Sequence, residues 1–144
     1  MPGITVGVDG SDNSERALQW AMKEAAVRHA ALTVLTVHEV AASYWNNPIL
    51  YPADQPMQEK ARQAAEEAVA KVTSQLGESQ PESVTVRAVS GFAAQELIDA
   101  SNDADLLVVG SRGAGGFARL MMGSISSKVV HHAACPVVTV PGTR

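Results

Sequence analysis

At 144 residues the chain suits one domain whose core needs neither disulfide nor metal, and its 46% apolar and 18% charged residues form an ordinary globular balance. No apolar run approaches the roughly 20 residues of a membrane-spanning helix, and a net charge of −4 argues against nucleic acid or another polyanionic partner. The single cysteine, Cys135, excludes an internal disulfide. No basic region followed by an apolar stretch stands behind Met1, so the expected compartment is the cytoplasm.

Residues 4–8 read as a Val-rich strand ending at Asp9. A helix follows: Asp12 with Glu15 has the form of a capping box, and Leu18, Met22, Ala25 and His29 recur at spacings of three and four. A second strand covers 32–37. Residues 41–56, with Tyr44, Trp45 and three prolines, read as an irregular, mobile connection. The next helix is longer, with Met57, Ala61, Ala64, Ala68, Val72 and Leu76 on its apolar face and Gly77 at its end. Residues 84–89 give a third strand, 92–100 a short helix, and 106–109 a fourth strand. A last helix runs from Ser124 to about Ala134, ahead of Pro136, and Val137–Val140 closes the chain as a fifth strand.

Strands alternating with helices predict an α/β fold: one doubly wound domain over 1–144, with a five-stranded parallel sheet and helices on both faces. The expected strand order is 3-2-1-4-5. Such sheets bind ligands outside the carboxyl ends of the strands, where the order reverses. That crevice falls between the strand ending at Asp9 and the strand ending at Gly110.

The charge distribution points to the same end of the chain. All 15 acidic residues lie at or before Asp105, whereas the remainder holds four basic residues (Arg112, Arg119, Lys128, Arg144), no acid, and six of the 11 glycines. Such a segment suits a small phosphate-bearing ligand; chance clustering in a short tail is the other reading. Within it, Gly110-Ser-Arg-Gly113 is followed by nine residues and then Gly123-Ser124. The first pair of glycines lets backbone N–H groups face a ligand beyond a buried strand. Gly123 and Ser124 open a helix whose first N–H groups lack internal partners and whose dipole favours an anion, and Ser124 and Ser126 offer hydroxyls. Asp9 faces the same crevice, where it can accept from ribose hydroxyls or help hold Mg²⁺ near phosphates. Its alternative employment is as a cap of the first helix.

This glycine-serine spacing, with Val8-Asp9-Gly10-Ser11 after the first strand and Cys135-Pro-Val-Val-Thr-Val140 at the close, resembles the universal stress proteins over essentially the whole chain. It matches the pattern of the ATP-binding class of that family in full. The resemblance implies a triphosphate held by Gly110, Arg112, Gly113, Gly123, Ser124, Ile125 and Ser126. It places the adenosine along Gly7, Val8, Asp9, His38, Glu39 and Val109; the family often has an apolar residue where Glu39 stands. It further implies ATP, with Mg²⁺ at Asp9, as the ligand, a stress-response role with an unidentified protein partner, and a homodimer through Val137–Val140.

Other features are explained more simply. Gly113-Ala-Gly115-Gly116-Phe117-Ala118 imitates a dinucleotide fingerprint, but no acid follows to hold a ribose. His131 and His132 stand roughly 10–12 Å along their helix from its phosphate end, too far for a general base there. With no convincing catalytic base, hydrolysis is expected to be slow at most. A regulatory dimer that binds no nucleotide and a weak ATPase are the competing readings. Phe117, Leu120, Met121 and Met122 either fold onto the protein or form a contact surface.

Overall fold

The computed structural model describes residues 3–111 and 123–142. Its main strands are β1 (Gly3–Val8), β2 (Ala31–Glu39), β5 (Ser83–Gly91), β6 (Ala104–Gly110) and β7 (Val137–Val140), and its helices are α1 (Asp12–Arg28), α2 (Asp54–Leu76), α3 (Ala93–Ser101) and α4 (Ser124–His132). Two short strands, β3 (Ala41–Ala42) and β4 (Pro48–Ile49), pair as a separate antiparallel hairpin. The large sheet has the order β5-β2-β1-β6-β7 and is parallel throughout. Counting only its five strands, that is the expected 3-2-1-4-5.

The period-two geometry of the strands sorts their side chains onto two faces. Ile4, Val6 and Val8 of β1 and Leu106 and Val108 of β6 meet Leu18, Met22 and Ala25 of α1, with α2 alongside. On the other face Leu35, Leu107 and Val109 pack with Leu97 of α3 and Val129 of α4. β6 gives residues to both layers. Its continuous apolarity follows from that double coverage.

Four sequence expectations need correction. Ser11 caps α1, accepting from the Ser14 N–H, in place of Asp12, which lies in the first turn. His29 adopts the left-handed conformation (φ 54) beyond the end of α1, exposed, and is no part of its apolar stripe. α2 starts three residues before Met57, and its inward face is turned: Ala65 and Val72 are buried, with Ala68, Val69 and Leu76 packed beside them, while Met57 and Ala64 are exposed. α4 ends at His132, because Ala133 is already extended.

Within the irregular stretch expected at 41–56, residues 41–49 form the hairpin, 50–53 stay irregular and 54–56 open α2. Residue Asn46 turns with φ 60, and Ser43 Oγ accepts from the N–H groups of Trp45 and Asn47. β5 lies at one edge of the sheet, and α2 covers it with polar side chains. Gln58 donates to the Ala88 carbonyl at 3.1 Å and Arg62 to that of Val86 at 3.2 Å, satisfying edge groups that a neighbouring strand would otherwise claim.

Candidate functional site

Each helix among the described residues begins at the carboxyl edge of the sheet, so that edge gathers the N-termini of α1, α2, α3 and α4. β1, which ends at Val8 just before Asp9, runs between β2 and β6: Val6 is level with Val34 on one side and Val108 on the other. Gly110 at the end of β6 is level with Val140 of β7. The predicted crevice is therefore bounded by the ends of β1 and β6.

The turn after β1 is built around its carboxylate. Asp9 Oδ1 accepts from the Ser11 N–H at 2.9 Å and from the Ser11 hydroxyl at 2.5 Å, while the Asp9 N–H reaches Ser14 Oγ at 3.2 Å. Gly10 between them has φ 82, a conformation that favours glycine. The Asp9 side chain thus braces the entry to α1 through Ser11, which is the actual cap. Sequence reading passed over Ser11 and Ser14, since Asp9, Ser11, Asp12, Asn13 and Ser14 are all residue types that cap helices.

Across the crevice, the N–H of Gly123 donates to the Ser111 carbonyl at 2.7 Å, and the Ser111 N–H donates to Val140 at 2.9 Å. The end of β6 and the start of α4 are thereby tied together. Ser126 is 4% exposed, and its hydroxyl lies 3.1 Å from the Ser111 carbonyl and 3.0 Å from that of Gly123. That hydroxyl fastens α4 to β6. The Ser126 N–H, with those of Ser124 and Ile125, belongs to the first turn, and the first internal bond of the helix is Ser127 N–H to Gly123 O. Ser124 and Ile125 are exposed.

The four helix starts differ in charge. α1 has Asp12 and Glu15 in its first turn, α2 has Asp54, and α3 has Glu96. α3 also receives the Glu39 carboxylate on its Ala93 N–H at 2.8 Å. α4 has no acid in its first turn, and its cap, Gly123, offers no side chain.

Two adenosine candidates have other duties. Glu39 caps α3, as just described. His38 Nε2 lies 2.8 Å from Asp54 Oδ1, and Asp54 Oδ2 accepts from the Tyr51 N–H at 2.7 Å. The Tyr51 N–H first, then His38, hold the Asp54 carboxyl below its ordinary range. Val8 and Val109 point into the two cores. Gly7 leaves room for Leu97: a Cβ there would meet Leu97 Cδ2 at 2.8 Å. What these residues can offer a ligand is backbone. Arg112 and Gly113, with Phe117, Leu120, Met121 and Met122, lie outside the described residues.

Among the described residues no three His, Cys, Asp or Glu side chains gather as a metal site. Cys135 is part-buried against the second core, and burial, then the charge of Asp105, pushes its thiol up. Among the same residues no helix is long and apolar enough to cross a membrane.

Residues 2–141 match the model of the universal stress protein family. A universal stress protein of Mycolicibacterium smegmatis is 38% identical over 141 residues, which is 97% of this chain and 48% of the relative, so the chain spans about half that protein's length. Among solved structures, the universal stress protein UspA from Lactobacillus plantarum superposes with a TM-score of 0.78 at 26% identity, covering 96% of this chain and 97% of that one. A universal stress protein in complex with cAMP gives a TM-score of 0.67 at 27% identity, covering 99% and 98%.

Proposed function

The chain belongs to the universal stress protein family, and we propose that it is a nucleotide-dependent regulatory protein that holds ATP at the carboxyl edge of its sheet. The observation that carries this is the bare start of α4. Three helices at that edge carry carboxylates of their own, and α4, tied by Gly123 to the end of β6, does not. A helix start without its own anion is suited to an external one.

In this reading the phosphates lie against Gly110, Arg112, Gly113, Gly123, Ser124 and the N–H groups of Ile125 and Ser126. The adenosine runs over the backbone of Gly7, Val8, Asp9, His38, Glu39 and Val109. The solved relative in complex with cAMP supports the choice of an adenine nucleotide. Asp9 reaches the ribose, or shares an Mg²⁺ with the phosphates; no wholly protein-made cage stands among the described residues. The nucleotide is held, with slow hydrolysis at most, and a cytoplasmic homodimer forms through the outer edge of β7, whose partner strand would cover that edge.

The test is Ser124→Glu, which gives α4 the carboxylate it lacks. Thermal stability should hold or rise by about 0.3–1 kcal/mol from the helix dipole. ATP affinity, measured by isothermal titration, should fall more than about tenfold as the carboxylate meets the phosphates. Opposite signs in the two readouts cannot come from misfolding. Unchanged ATP affinity in the variant, or an unmodified protein that binds no adenine nucleotide, would overturn the reading.

A further inference from the structure

The hairpin between β2 and α2 carries chemistry that the phosphate reading leaves unused. The chain has two Trp, two Tyr and two Phe, and Tyr44, Trp45 and Tyr51 all fall in this one segment. They are 92%, 80% and 56% exposed, with Leu50 of the same segment 67% exposed. Burying an aromatic ring is among the largest stabilising gains open to a small domain. A chain so poor in rings that leaves half of them in water has a surface shaped for contact.

The segment is held firmly. Its arms pair through Ala41–Ile49 and Ala42–Pro48, and the Ser43 N–H donates to Asn47 at 2.7 Å. Its far end is pinned by the Tyr51 N–H to Asp54, which in turn engages His38. At the tip the Tyr44 and Trp45 rings meet edge to face, with centroids 5.3 Å apart and planes at 81°. That contact steadies the pair while most of both ring surfaces stays open.

Its location names an occupant. The hairpin rises two residues beyond Glu39, from a strand that is the hydrogen-bonded neighbour of β1, about 4.8 Å away. It therefore leaves the sheet at the same carboxyl edge where Asp9 follows β1. Between His29 and Glu59 there is no Lys or Arg, so the segment lacks the basic residues that bind an anionic membrane surface. Flat, uncharged rings suit a flat, uncharged partner.

We propose that the Tyr44–Trp45 tip is a stacking platform for the adenine base of the nucleotide whose phosphates lie at α4. This rests on the nucleotide reading above and adds to it a recognition element supplied by side chains, where the strand ends supply backbone. Every base has a π face, so the platform adds affinity for nucleotides over bare phosphate chains.

Because the protein has two tryptophans, Trp20→Phe leaves Trp45 as the sole indole. ATP should quench or shift its emission; should Trp20→Phe fail to fold, the difference between unmodified protein and Trp45→Ala reads the same signal. In isothermal titration Trp45→Ala should weaken ATP about fivefold to tenfold and Trp45→Phe should restore most of it, while inorganic tripolyphosphate binds all three proteins alike. The exposure of Trp45 predicts unchanged thermal unfolding. ATP binding that ignores Trp45→Ala with silent emission, or an equal loss for tripolyphosphate, overturns the platform and leaves the nucleotide reading standing. So does a Trp45→Ala effect confined to self-association in sedimentation, which assigns the tip to a second copy. An unmodified protein that binds no ATP removes both.

Discussion

Ser126→Ala separates a hydroxyl that builds the site from one that touches the ligand. The side chain is 4% exposed, and its oxygen stands 3.1 Å from the Ser111 carbonyl and 3.0 Å from that of Gly123. One proton serves one acceptor at a time, so alanine removes a single neutral hydrogen bond, worth about 0.5–1.5 kcal/mol net. Neither carbonyl is stranded by the change: Ser111 still accepts from Gly123 at 2.7 Å and Gly123 from Ser127 at 2.9 Å. The expected loss is about 1 kcal/mol, or roughly 3 °C in Tm for a domain of this size. ATP affinity should stay within about threefold of the unmodified protein. A hydroxyl donating to a phosphate would be charge-assisted and worth about 1.5–3 kcal/mol, so its removal would weaken binding roughly 10- to 150-fold. Thermal unfolding and isothermal titration on the same preparation decide the matter. A tenfold loss of affinity at unchanged Tm would refute the assignment of Ser126 to the β6–α4 joint.

The Asp54 carboxyl sits below its ordinary value of 3.8 because it accepts from the Tyr51 N–H and then from His38. With the folded value depressed, its stabilisation is complete above the unfolded value and is lost as pH falls through the folded one. Asp54→Asn should therefore flatten the acid limb of a urea-midpoint profile taken from pH 7 to 3, and superimposable profiles would contradict this. Leu18 is fully buried between α1 and the sheet, so Leu18→Ala should cost about 2–5 kcal/mol. The check is urea unfolding at unchanged m-value, and a loss under 1 kcal/mol would mean that the site collapses around the smaller side chain.

The five long strands were legible because a parallel sheet covered on both faces needs nearly continuous apolar runs, as in Leu106-Leu107-Val108-Val109. The hairpin was not, since two-residue arms are too short for an alternating pattern. The inward face of α2 was misread by a fraction of a turn: Ala64 and Ala65 are chemically identical, and only packing decides that Ala65 goes in. At the candidate site, the glycine spacing pointed to two segments that the structure joins by backbone alone, Gly123 N–H to the Ser111 carbonyl. The partners of His38 and Glu39 were out of reach. They lie 16 and 54 residues away in the chain, and no periodicity links such distances. The contacts of Ser126 were hidden for a related reason: a serine near a helix start reads as a donor to a ligand, and its burial against the Ser111 and Gly123 carbonyls is visible only in the fold.

These polar contacts have a common consequence at the carboxyl edge. Where the strands end, backbone groups leave the ladder and must find new partners or stay hydrated. Asp9 finds Ser14, Val40 finds Gly91, Ser111 finds both Val140 and Gly123, and Ala93 finds Glu39. Each bond fixes the direction in which a connection leaves the sheet. Together they seat the starts of α1, α3 and α4 around the ends of β1 and β6. Helix geometry denies the first N–H groups of every helix an internal acceptor, and among the four described helix starts α4 is the one with no acid in its first turn. In the proposed reading an anion takes that place. That is why a substitution at Ser124 should govern ligand affinity, whereas one at Ser126, two residues further along the same helix, should govern stability.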